Sequence, residues 1–347
     1  MILTMKHFNR EEHRIDRKEH RKNLCALCGL KSNGAQTASG LQQTLIITRI
    51  SLYYILAILK LKLQKFAMKQ IVFFLLICIS AQSAIAQKNT PVIIATYNLR
   101  YNNPGDSLNA WPYRKENVKA LIRFHEFDIF GTEEGLIDQI KGIAELEEYA
   151  YTGKGRDDGK EAGEHSAIFY RKSRFRLLQS GDFWLSETPD KPGKGWDAKC
   201  CNRICSWGKF KDLQTKKEFY FFCVHFDHQG VIARKESGKL MVKKIKEIAK
   251  NAPAVCVGDF NSTPETEQIE EMQTLLKDSY KVTEMPPYGP VGTFNAFKFD
   301  APMKHRIDYI FVSPGIRVLK YGVLTDAKDQ RYPSDHQPVM IKALLPQ

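Results

Sequence analysis

Short apolar runs, each bounded by turn residues, recur along the chain from residue 91 to residue 345. Runs of this length and composition predict buried β-strands. Nine or more strands are expected, at about residues 91–98, 127–132, 166–170, 175–179, 219–226, 253–258, 307–312, 316–324 and 338–344. Neither an internal repeat nor a long Pro/Ser-rich linker interrupts the series, so we predict a single domain.

Apolar residues at helical spacing predict four helices between these strands. They cover Trp111–Phe124, residues 136–146, residues 240–248, and a segment that starts at Pro264 and continues to Leu276. Pro264 is taken as the helix start because proline suits a first helical position. Strands with helices between and outside them indicate an α/β fold of layered sheets covered by helices.

Residues 68–86 have the layout of a secretory signal peptide. Met68 and Lys69 precede an apolar core, and Ala-Ile-Ala stands directly before Gln87. We therefore predict cleavage between Ala86 and Gln87 and a mature protein that is secreted or periplasmic. N-terminal sequencing of the exported protein should read from Gln87, and recovery of peptides from residues 1–67 would contradict the prediction.

The 67 residues ahead of this segment have two interpretations. In the first, Met68 is the initiator and residues 1–67 are an upstream extension that the cell does not make. In the second, Leu41–Leu63 and the following apolar run form membrane helices. We favour the first, because the run Ile71–Ile79 is much shorter than the about 20 residues that span a bilayer. The mature domain, residues 90–347, is then expected to have no stable membrane anchor.

The charge balance changes once the N-terminal part is set aside. The whole chain has a net charge of +13, which taken alone suggests a nucleic-acid partner. Residues 1–86, however, contain 13 Lys and Arg against 4 Asp and Glu. The other 261 residues carry 39 basic and 35 acidic groups, a net charge of +4, so charge gives no argument for nucleic acid.

Five cysteines remain in the mature part. Cys223 and Cys256 lie inside apolar runs, and we expect them to behave as small buried hydrophobic residues. Cys200, Cys201 and Cys205 lack the paired spacing of a structural zinc site. In an exported protein one disulfide within this loop is the better prediction, and the sequence leaves open which two cysteines form it.

Acidic, amide and imidazole side chains stand where the predicted strands begin or end. These positions are Asn98, Glu134, His225, Asp259, Asn261, Asp308, Asp335 and His336. Ligands bind preferentially at strand ends and in the loops beyond them. Oxygen donors of this kind suit a divalent cation such as Mg²⁺, and an imidazole beside them supplies acid–base or electrostatic help near neutral pH. The pattern therefore predicts an active site.

Two of these groups also have simpler interpretations. Glu134 and its neighbour Glu133 are suited to capping the helix expected near Leu136, since acidic groups favour a helix N-terminus. Asp259 and Asn261 are typical of a turn after a strand. Against the second interpretation, Asp259 directly follows a buried apolar run, where a carboxylate without a partner is costly. A metal, a water network or a cationic partner is therefore expected beside it.

Taken in order, these motifs resemble those of the endonuclease/exonuclease/phosphatase superfamily. They are Thr-Tyr-Asn98, Gly-Thr-Glu-Glu134, His225-Phe-Asp-His, Gly-Asp259-Phe-Asn261, Arg-Ile-Asp308-Tyr and Ser-Asp335-His336. That group includes pancreatic deoxyribonuclease, apurinic endonucleases, deadenylases, inositol-polyphosphate phosphatases and sphingomyelinases. The resemblance covers residues 91–345 and is greatest to small exported members of Bacteroides-type bacteria. One departure is Glu133, which stands where the family usually has Gln.

The resemblance implies a four-layer α/β sandwich, with two packed mixed β-sheets flanked by helices as in deoxyribonuclease I, and a metal cleft at one edge. It implies that Glu134 binds Mg²⁺ or Mn²⁺, with Asn98 and Asp335 close by. The activity implied is metal-dependent hydrolysis of a phosphate ester by in-line attack of water. Phosphoryl transfer needs mainly alignment and charge neutralisation, and a metal with convergent donors provides both.

The resemblance also implies roles for the remaining polar residues. Asp259 orients or deprotonates the attacking water, while Asn261 and His225 hold phosphoryl oxygens. His336 stabilises the charge that builds up during the attack, and Asp308 orients His336. This last role is the one that an Asp has in a catalytic triad.

The substrate is left open. A nuclease should have a basic groove with aromatic residues beside it, and Lys191–Lys199, which contains Trp196, is the candidate segment, with Arg203 assisting in substrate binding. A solvated turn is the alternative interpretation of that segment. A lipid or sugar-phosphate hydrolase of the same fold is the second hypothesis, and a binding protein without catalysis is the third. We disfavour the third because every expected polar position is occupied. A monomer is expected.

Overall fold

The structure is a computed structural model that describes residues 38–88 and 90–346. The chain divides into two units, Met1–Ser80 and Ala81–Gln347. Helix α1 (Ala38–Lys88) contains the predicted signal segment and its cleavage site. Residues 1–37, the first part of the predicted upstream extension, lie outside the described residues. In the described ranges, no helix combines the length and apolar character needed to cross a membrane.

The second unit contains twelve strands within its described residues. They are β1 (Val92–Asn98), β2 (Ile129–Gly135), β3 (Tyr149–Thr152), β4 (His165–Arg171), β5 (Phe175–Trp184), β6 (Ile204–Asp212), β7 (Glu218–His225), β8 (Ala254–Asp259), β9 (Lys277–Asp278), β10 (Asp308–Val312), β11 (Arg317–Val323) and β12 (Val339–Leu344). The helices are α2 (Trp111–Phe124), α3 (Ile137–Ala144), α4 (Val231–Ala249), α5 (Glu267–Gln273) and α6 (Ser279–Val282), with a 3₁₀ helix at Pro104–Asn109.

The strands form two six-stranded mixed sheets. The first sheet has the order β11-β12-β1-β2-β4-β3, and the second has the order β5-β6-β7-β8-β10-β9. Each sheet contains one parallel pair, β1 with β2 and β7 with β8. Parallel neighbours need a crossover connection, which α2 provides in the first sheet and α4 in the second. The parallel pairs lie inside the sheets, so their carboxyl ends are held by neighbours on both sides.

Alternate residues of the strands face different layers, as the pleat of a strand requires. On β1, Val92 and Ile94 pack in the core between the sheets, whereas Ala95 and Tyr97 pack with residues of α2 and α3. On the other side, β7 and β8 supply residues to the same central core and to a second cluster that includes α4 and α5. The layers are therefore stacked in the order helices, sheet, sheet, helices. This order confirms the predicted four-layer α/β sandwich.

Three strands were not predicted. β3 has four residues and β9 has two, which is too short for a recognisable pattern. β6 reads ICSWGKFKD, in which polar residues and Gly interrupt the apolar ones, so it lacks the continuous run used to identify the other strands. These strands complete both sheets without changing their architecture.

The predicted start of the fourth helix at Pro264 is wrong, because α5 begins at Glu267. Pro264 lies in a turn that precedes the helix. In that turn the backbone N–H and the hydroxyl of Thr266 both donate to the carbonyl of Thr263, at 3.1 and 2.7 Å. Proline is compatible with a turn as well as with a first helical position, and here the Thr-Pro-Glu-Thr segment forms the turn.

Candidate active site

The predicted site residues lie at one edge of the two packed sheets. Asn98 ends β1, and His225 and Asp259 end the parallel strands β7 and β8, where they are paired in register. Asp308, the first residue of antiparallel β10, pairs with Asp259. Because the ends of adjacent strands meet at one sheet edge, side chains that are far apart in sequence converge here.

A β-bulge brings Glu134 to the same edge. The pairing of β2 with β4 shifts between Thr132 and Gly135, and Glu134 has a φ of 62°, in the left-handed region. Bulges of this kind re-aim side chains beside active sites. As a result Glu133 is fully buried in the interior, while its neighbour Glu134 lines the cleft.

The edge opens into a cleft of about 550 Å³. Seven of the nine residues predicted for catalysis, metal binding or substrate binding line it: Glu134, Arg203, His225, Asp259, Asn261, Asp335 and His336. The other two, Asn98 and Asp308, are buried and hydrogen-bonded to residues that line the cleft. The structure therefore brings all nine together.

Donor atoms suitable for a cation meet on the β2 side of the cleft. Glu134, His225 and Asp259 each offer one ligand atom within 4.8 Å of the other two. The Asn98 amide donates to Glu134 Oε1 at 3.2 Å and to Asp259 Oδ2 at 3.0 Å. In the described part of the chain, no lysine or arginine forms an ion pair with either carboxylate. Two carboxylates this close favour a shared cation, and oxygen donors suit Mg²⁺, so the residues fit a divalent metal.

Asp335, predicted to lie close to the metal ligands, lines the same cleft and is mostly buried. Its Oδ2 is 3.9 Å from the Arg100 guanidinium, and the neighbouring Ser334 hydroxyl donates to the Asn98 carbonyl at 2.7 Å. Burial raises the pKa of Asp335, and the nearby Glu134 carboxylate raises it further. It stands outside the close group of three ligand atoms.

His336 and Asp308 form the predicted pair. His336 Nδ1 is 2.9 Å from Asp308 Oδ2, which also accepts a hydrogen bond from the Thr293 hydroxyl at 2.5 Å. Burial lowers the pKa of His336, but the Asp308 carboxylate outweighs burial and raises that pKa well above its usual value. The ring is therefore cationic at neutral pH, with Nε2 3.9 Å from Asp259 Oδ2.

Asp259 lies at the centre of this arrangement. Its Oδ1 accepts a hydrogen bond from the Asn261 backbone N–H at 2.8 Å, and its Oδ2 accepts one from Asn98. Burial and the neighbouring Asp308 carboxylate raise the pKa of Asp259 to about 7. A pKa near the operating pH is what general base catalysis favours.

On the β6 and β7 side, Arg203, His225 and Asn261 form a second group. Arg203 Nη1 and Asn261 Nδ2 donate to His225 Nε2, at 2.9 and 3.1 Å. Burial and the Arg203 guanidinium hold the pKa of His225 well below its usual value, so its ring is neutral. Asn261 also donates to the Phe226 carbonyl at 3.0 Å, and a phosphoryl oxygen that accepts from this amide has to replace one of the two bonds.

The helix-capping interpretation of Glu133 and Glu134 is wrong. Gln139 Oε1 accepts the hydrogen bond from the backbone N–H of Leu136 at the start of α3, at 3.2 Å. Glu134 instead accepts from Asn98 and from the backbone N–H of Tyr101. Glu133 accepts from the Thr96 hydroxyl at 2.9 Å and from Cys223 Sγ at 3.2 Å. Burial raises the pKa of Glu133 to about 8, so its carboxyl is protonated and carries no charge at neutral pH.

Several cleft residues were missed. Arg156 and Glu164 form a bidentate ion pair in the β3–β4 connection, and Glu164 Oε2 lies 3.6 Å from His225 Nδ1. Arg100, paired with Asp106 at 2.8 Å, also lines the cleft. The segment around Arg156 is rich in Gly and charged residues, which is typical of an exposed loop, so composition did not identify it.

The segment Lys191–Lys199, predicted to contact a nucleic-acid substrate, does not line the cleft. Its Asp197 carboxylate accepts hydrogen bonds from the backbone N–H groups of Ile232 and Ala233, at 3.1 and 2.7 Å. This segment therefore caps α4 instead of forming a wall of the site. The cleft lining resumes at Cys200 and Cys201, which form a disulfide. The thiols of Cys205, Cys223 and Cys256 are buried, as predicted for the last two.

Replacing Glu134 with Gln is expected to weaken divalent-metal affinity by at least about tenfold while the fold is retained. Gln keeps the size of the side chain but removes the charge that faces Asp259. Calorimetric titration of the purified variant with Mn²⁺ measures the change, with Glu270→Gln on the exposed face of α5 as the matched control. Equal affinities of Glu134→Gln and wild type would mean that Glu134 is not a metal ligand.

Two solved Bacteroides structures are similar to this chain. One is described as a mannosyl-6-phosphatase of Bacteroides thetaiotaomicron; it is 46% identical, with a TM-score of 0.70, and the match covers 73% of this chain and 100% of that one. The other is an endonuclease/exonuclease/phosphatase from Bacteroides vulgatus. It is 43% identical, with a TM-score of 0.71, over 74% of this chain and 99% of that one.

Two uncharacterised proteins of Acanthamoeba polyphaga mimivirus are more distant relatives. They are 26% and 27% identical, over 49% and 45% of this chain. The matches span 30% and 61% of the length of those curated relatives, so these similarities concern part of each protein.

A family model described as "Endonuclease/Exonuclease/phosphatase family" matches residues 95–336. The matched region begins in β1 and ends at His336, so it contains every residue predicted for the site. The match confirms the predicted enzyme class, a hydrolase that acts on phosphate esters. The chain therefore belongs to the endonuclease/exonuclease/phosphatase family.

Proposed function

We propose that this protein is a Mg²⁺-dependent phosphatase that releases phosphate from a phosphorylated sugar outside the cytoplasm. The observation that carries the proposal is the shape and lining of the cleft. It is a pocket of about 550 Å³ with the buried Arg203 guanidinium in its lining. The Lys191–Lys199 segment was expected to bind nucleic acid if the protein were a nuclease, but it caps α4. The pocket thus suits a compact phosphate ester better than an extended strand.

The similarity to a mannosyl-6-phosphatase supports the choice of a sugar phosphate, since all of that chain is matched. The signal-like segment 68–86 supports export, and export brings the enzyme into contact with external glycans rather than with cytoplasmic nucleotides. A nuclease remains the second candidate, because Tyr101 and Phe294 line the cleft and are able to stack on a base.

In the proposed reaction, each group acts on a different part of the substrate. Arg203 supplies a cationic donor for phosphoryl oxygens, beside the neutral ring of His225. Asp259 accepts the proton of the attacking water. The Asn261 backbone N–H and the Asn98 amide hold the Asp259 carboxylate in place. The cationic His336 stabilises negative charge as it builds up on the phosphoryl group.

Glu134, with the Asn98 amide beside it, is the residue that would hold Mg²⁺, and Asp259 lies close by with its carboxylate left to accept the proton. When bound there, the cation polarises a phosphoryl oxygen and neutralises charge in the transition state. A cleft that has Arg100, Arg156 and Arg203 in its lining suits the dianion of a phosphate monoester.

Hydrolysis of a panel of esters tests the proposal, with free phosphate measured for the monoesters and cleavage products measured for the diesters. The panel holds mannose 6-phosphate, glucose 6-phosphate, a nucleoside monophosphate, single-stranded DNA, RNA and a phospholipid, each with Mg²⁺ and with EDTA. We expect the highest kcat/KM on a sugar phosphate and loss of activity in EDTA that added Mg²⁺ restores. Preferential cleavage of DNA or RNA would mean that the protein is a nuclease. Full activity in EDTA would mean that the reaction does not need a metal.

A further inference from the structure

The cleft has an apolar patch that the proposed chemistry does not use. Cys200 and Cys201 are adjacent in sequence, with Cα atoms 3.7 Å apart, and are joined by a disulfide that lines the cleft. Cys200 is exposed and Cys201 is half-buried, so their sulfur surface is accessible. Most other groups in this cleft are charged or amide side chains. The accessible disulfide differs from them because it offers an apolar contact.

The disulfide lies beside the residues assigned to the phosphoryl group. Cys200 Sγ is within 4.8 Å of a ring nitrogen of His228 and of an Asp227 carboxylate oxygen. His228 Nδ1 in turn accepts a hydrogen bond from Arg203 Nη2 at 2.7 Å. A phosphoryl group held by Arg203 therefore places the rest of its ester within reach of the sulfur atoms.

A metal site is the other interpretation of Cys200, Asp227 and His228, and the disulfide argues against it. Metal binding by cysteine requires a thiolate, and the sulfur of Cys200 is bonded to that of Cys201. Arg203 also lies close to the same group, with Nε 3.5 Å from Asp227 Oδ2. A fixed guanidinium at this place opposes a second cation.

The chain on both sides of the disulfide is anchored. Lys194 Nζ donates to the Lys199 carbonyl at 2.7 Å, and the Asn202 amide donates to the Arg156 carbonyl at 3.3 Å. The backbone N–H of Leu185 donates to the Arg203 carbonyl at 2.8 Å. Hydrogen bonds thus hold the chain on both sides of the ring that the disulfide closes, and holding a surface in place lowers the ordering cost of binding a ligand.

We propose that the Cys200–Cys201 disulfide is a wall of the substrate pocket that packs against the C–H face of the sugar ring. Sugar rings present C–H groups on their faces and hydroxyls at their edges, and polarizable sulfur favours contact with apolar groups. Arg203 holds the phosphoryl end while the disulfide positions the ring. This inference rests on the proposed function, because it assigns a subsite for the sugar part of that substrate.

The test compares wild type with the double variant Cys200→Ser and Cys201→Ser. For mannose 6-phosphate we expect KM to rise about tenfold, the scale of a lost apolar contact. The inhibition constant for inorganic phosphate, which probes the phosphoryl subsite alone, should change by less than about twofold on the same scale. Lys199→Ala is the matched control, since its side chain is on the same segment but does not line the cleft.

Thermal unfolding checks that the double variant is folded. If it does not fold, wild type treated with a reductant takes its place, and the same rise in KM is expected. An unchanged KM for mannose 6-phosphate would overturn the inference. So would a matching loss of phosphate affinity, because the disulfide would then be acting through Arg203.

The proposed function is judged separately, from wild type alone. A wild-type enzyme that hydrolyses other esters but no sugar phosphate would overturn the proposed function and this subsite with it. If the wild-type enzyme hydrolyses sugar phosphates but the double variant has an unchanged KM, only the proposed subsite is overturned.

Discussion

Replacing Asp259 with Asn is expected to lower kcat by about three orders of magnitude and to change KM much less. Asn has the shape of Asp and can still accept the hydrogen bond from the Asn261 backbone N–H, now 2.8 Å long. An amide, however, has no appreciable basicity and cannot take the proton of the attacking water. Activation of the water matters mainly in the transition state, so the loss appears in kcat.

The measurement is steady-state kinetics at saturating Mg²⁺, on whichever phosphate ester gives the highest wild-type rate. Because Asp259 also lies near Glu134, Mn²⁺ titration of the variant is needed to separate a loss of metal from a loss of proton transfer. Asp190→Asn, an exposed carboxylate outside the cleft lining, is the matched control. Turnover of a metal-loaded Asp259→Asn enzyme near the wild-type rate would remove the residue on which the mechanism chiefly depends.

The positions of Asn98, Glu134, Asp259 and Asp308 were predictable from sequence for one physical reason. Each polar residue follows or opens a run of apolar residues, and such a run has to be a buried strand. A carboxylate or amide at its end is then carried to the edge of a sheet. Strand register aligns such ends within each sheet, and the packing of one sheet on the other then brings the sheets' ends together. This is why Asn98 on β1 and Asp259 on β8, 161 positions apart, share a hydrogen bond.

The ion pair of Arg156 and Glu164 shows where this reasoning stops. Both residues lie in a connection between strands, amid other charged residues, and no apolar pattern fixes where such a segment runs. Their contact depends on a turn in which the Arg156 N–H donates to the Glu164 carbonyl at 3.0 Å. Turn geometry of this kind follows from packing against the rest of the cleft, which the local sequence does not contain.

The disulfide illustrates a third situation, in which the sequence narrows the choice without deciding it. Three cysteines within six residues indicated one loop disulfide in an exported protein. Cys205 lies in β6 and is fully buried, so the strand removes it from pairing. That strand was not predicted, because its polar residues obscured the apolar pattern. Without the strand, nothing in the sequence excluded Cys205, so the pairing of Cys200 with Cys201 stayed open.

Replacing His336 with Ala is expected to lower kcat by about a thousandfold, and adding Asp308→Asn to that variant should cost little more. Asp308 acts on the reaction through His336, whose Nδ1 it holds at 2.9 Å and whose charge it stabilises. Once the imidazole is gone, the carboxylate has nothing left to orient. Effects of two residues that act as a unit are strongly non-additive.

Kinetics of the two single variants and the double variant measure the coupling, with His305→Ala as the control, an exposed histidine outside the cleft lining. Asp308→Asn alone should reduce kcat nearly as much as His336→Ala, because the neutral amide no longer favours a cationic ring. The Thr293 hydroxyl, which also binds Asp308, keeps the position of this side chain in both variants. If the fold-losses in kcat of the two single variants instead multiplied in the double variant, Asp308 and His336 would be acting independently. Asp308 would then not be the group that keeps His336 cationic.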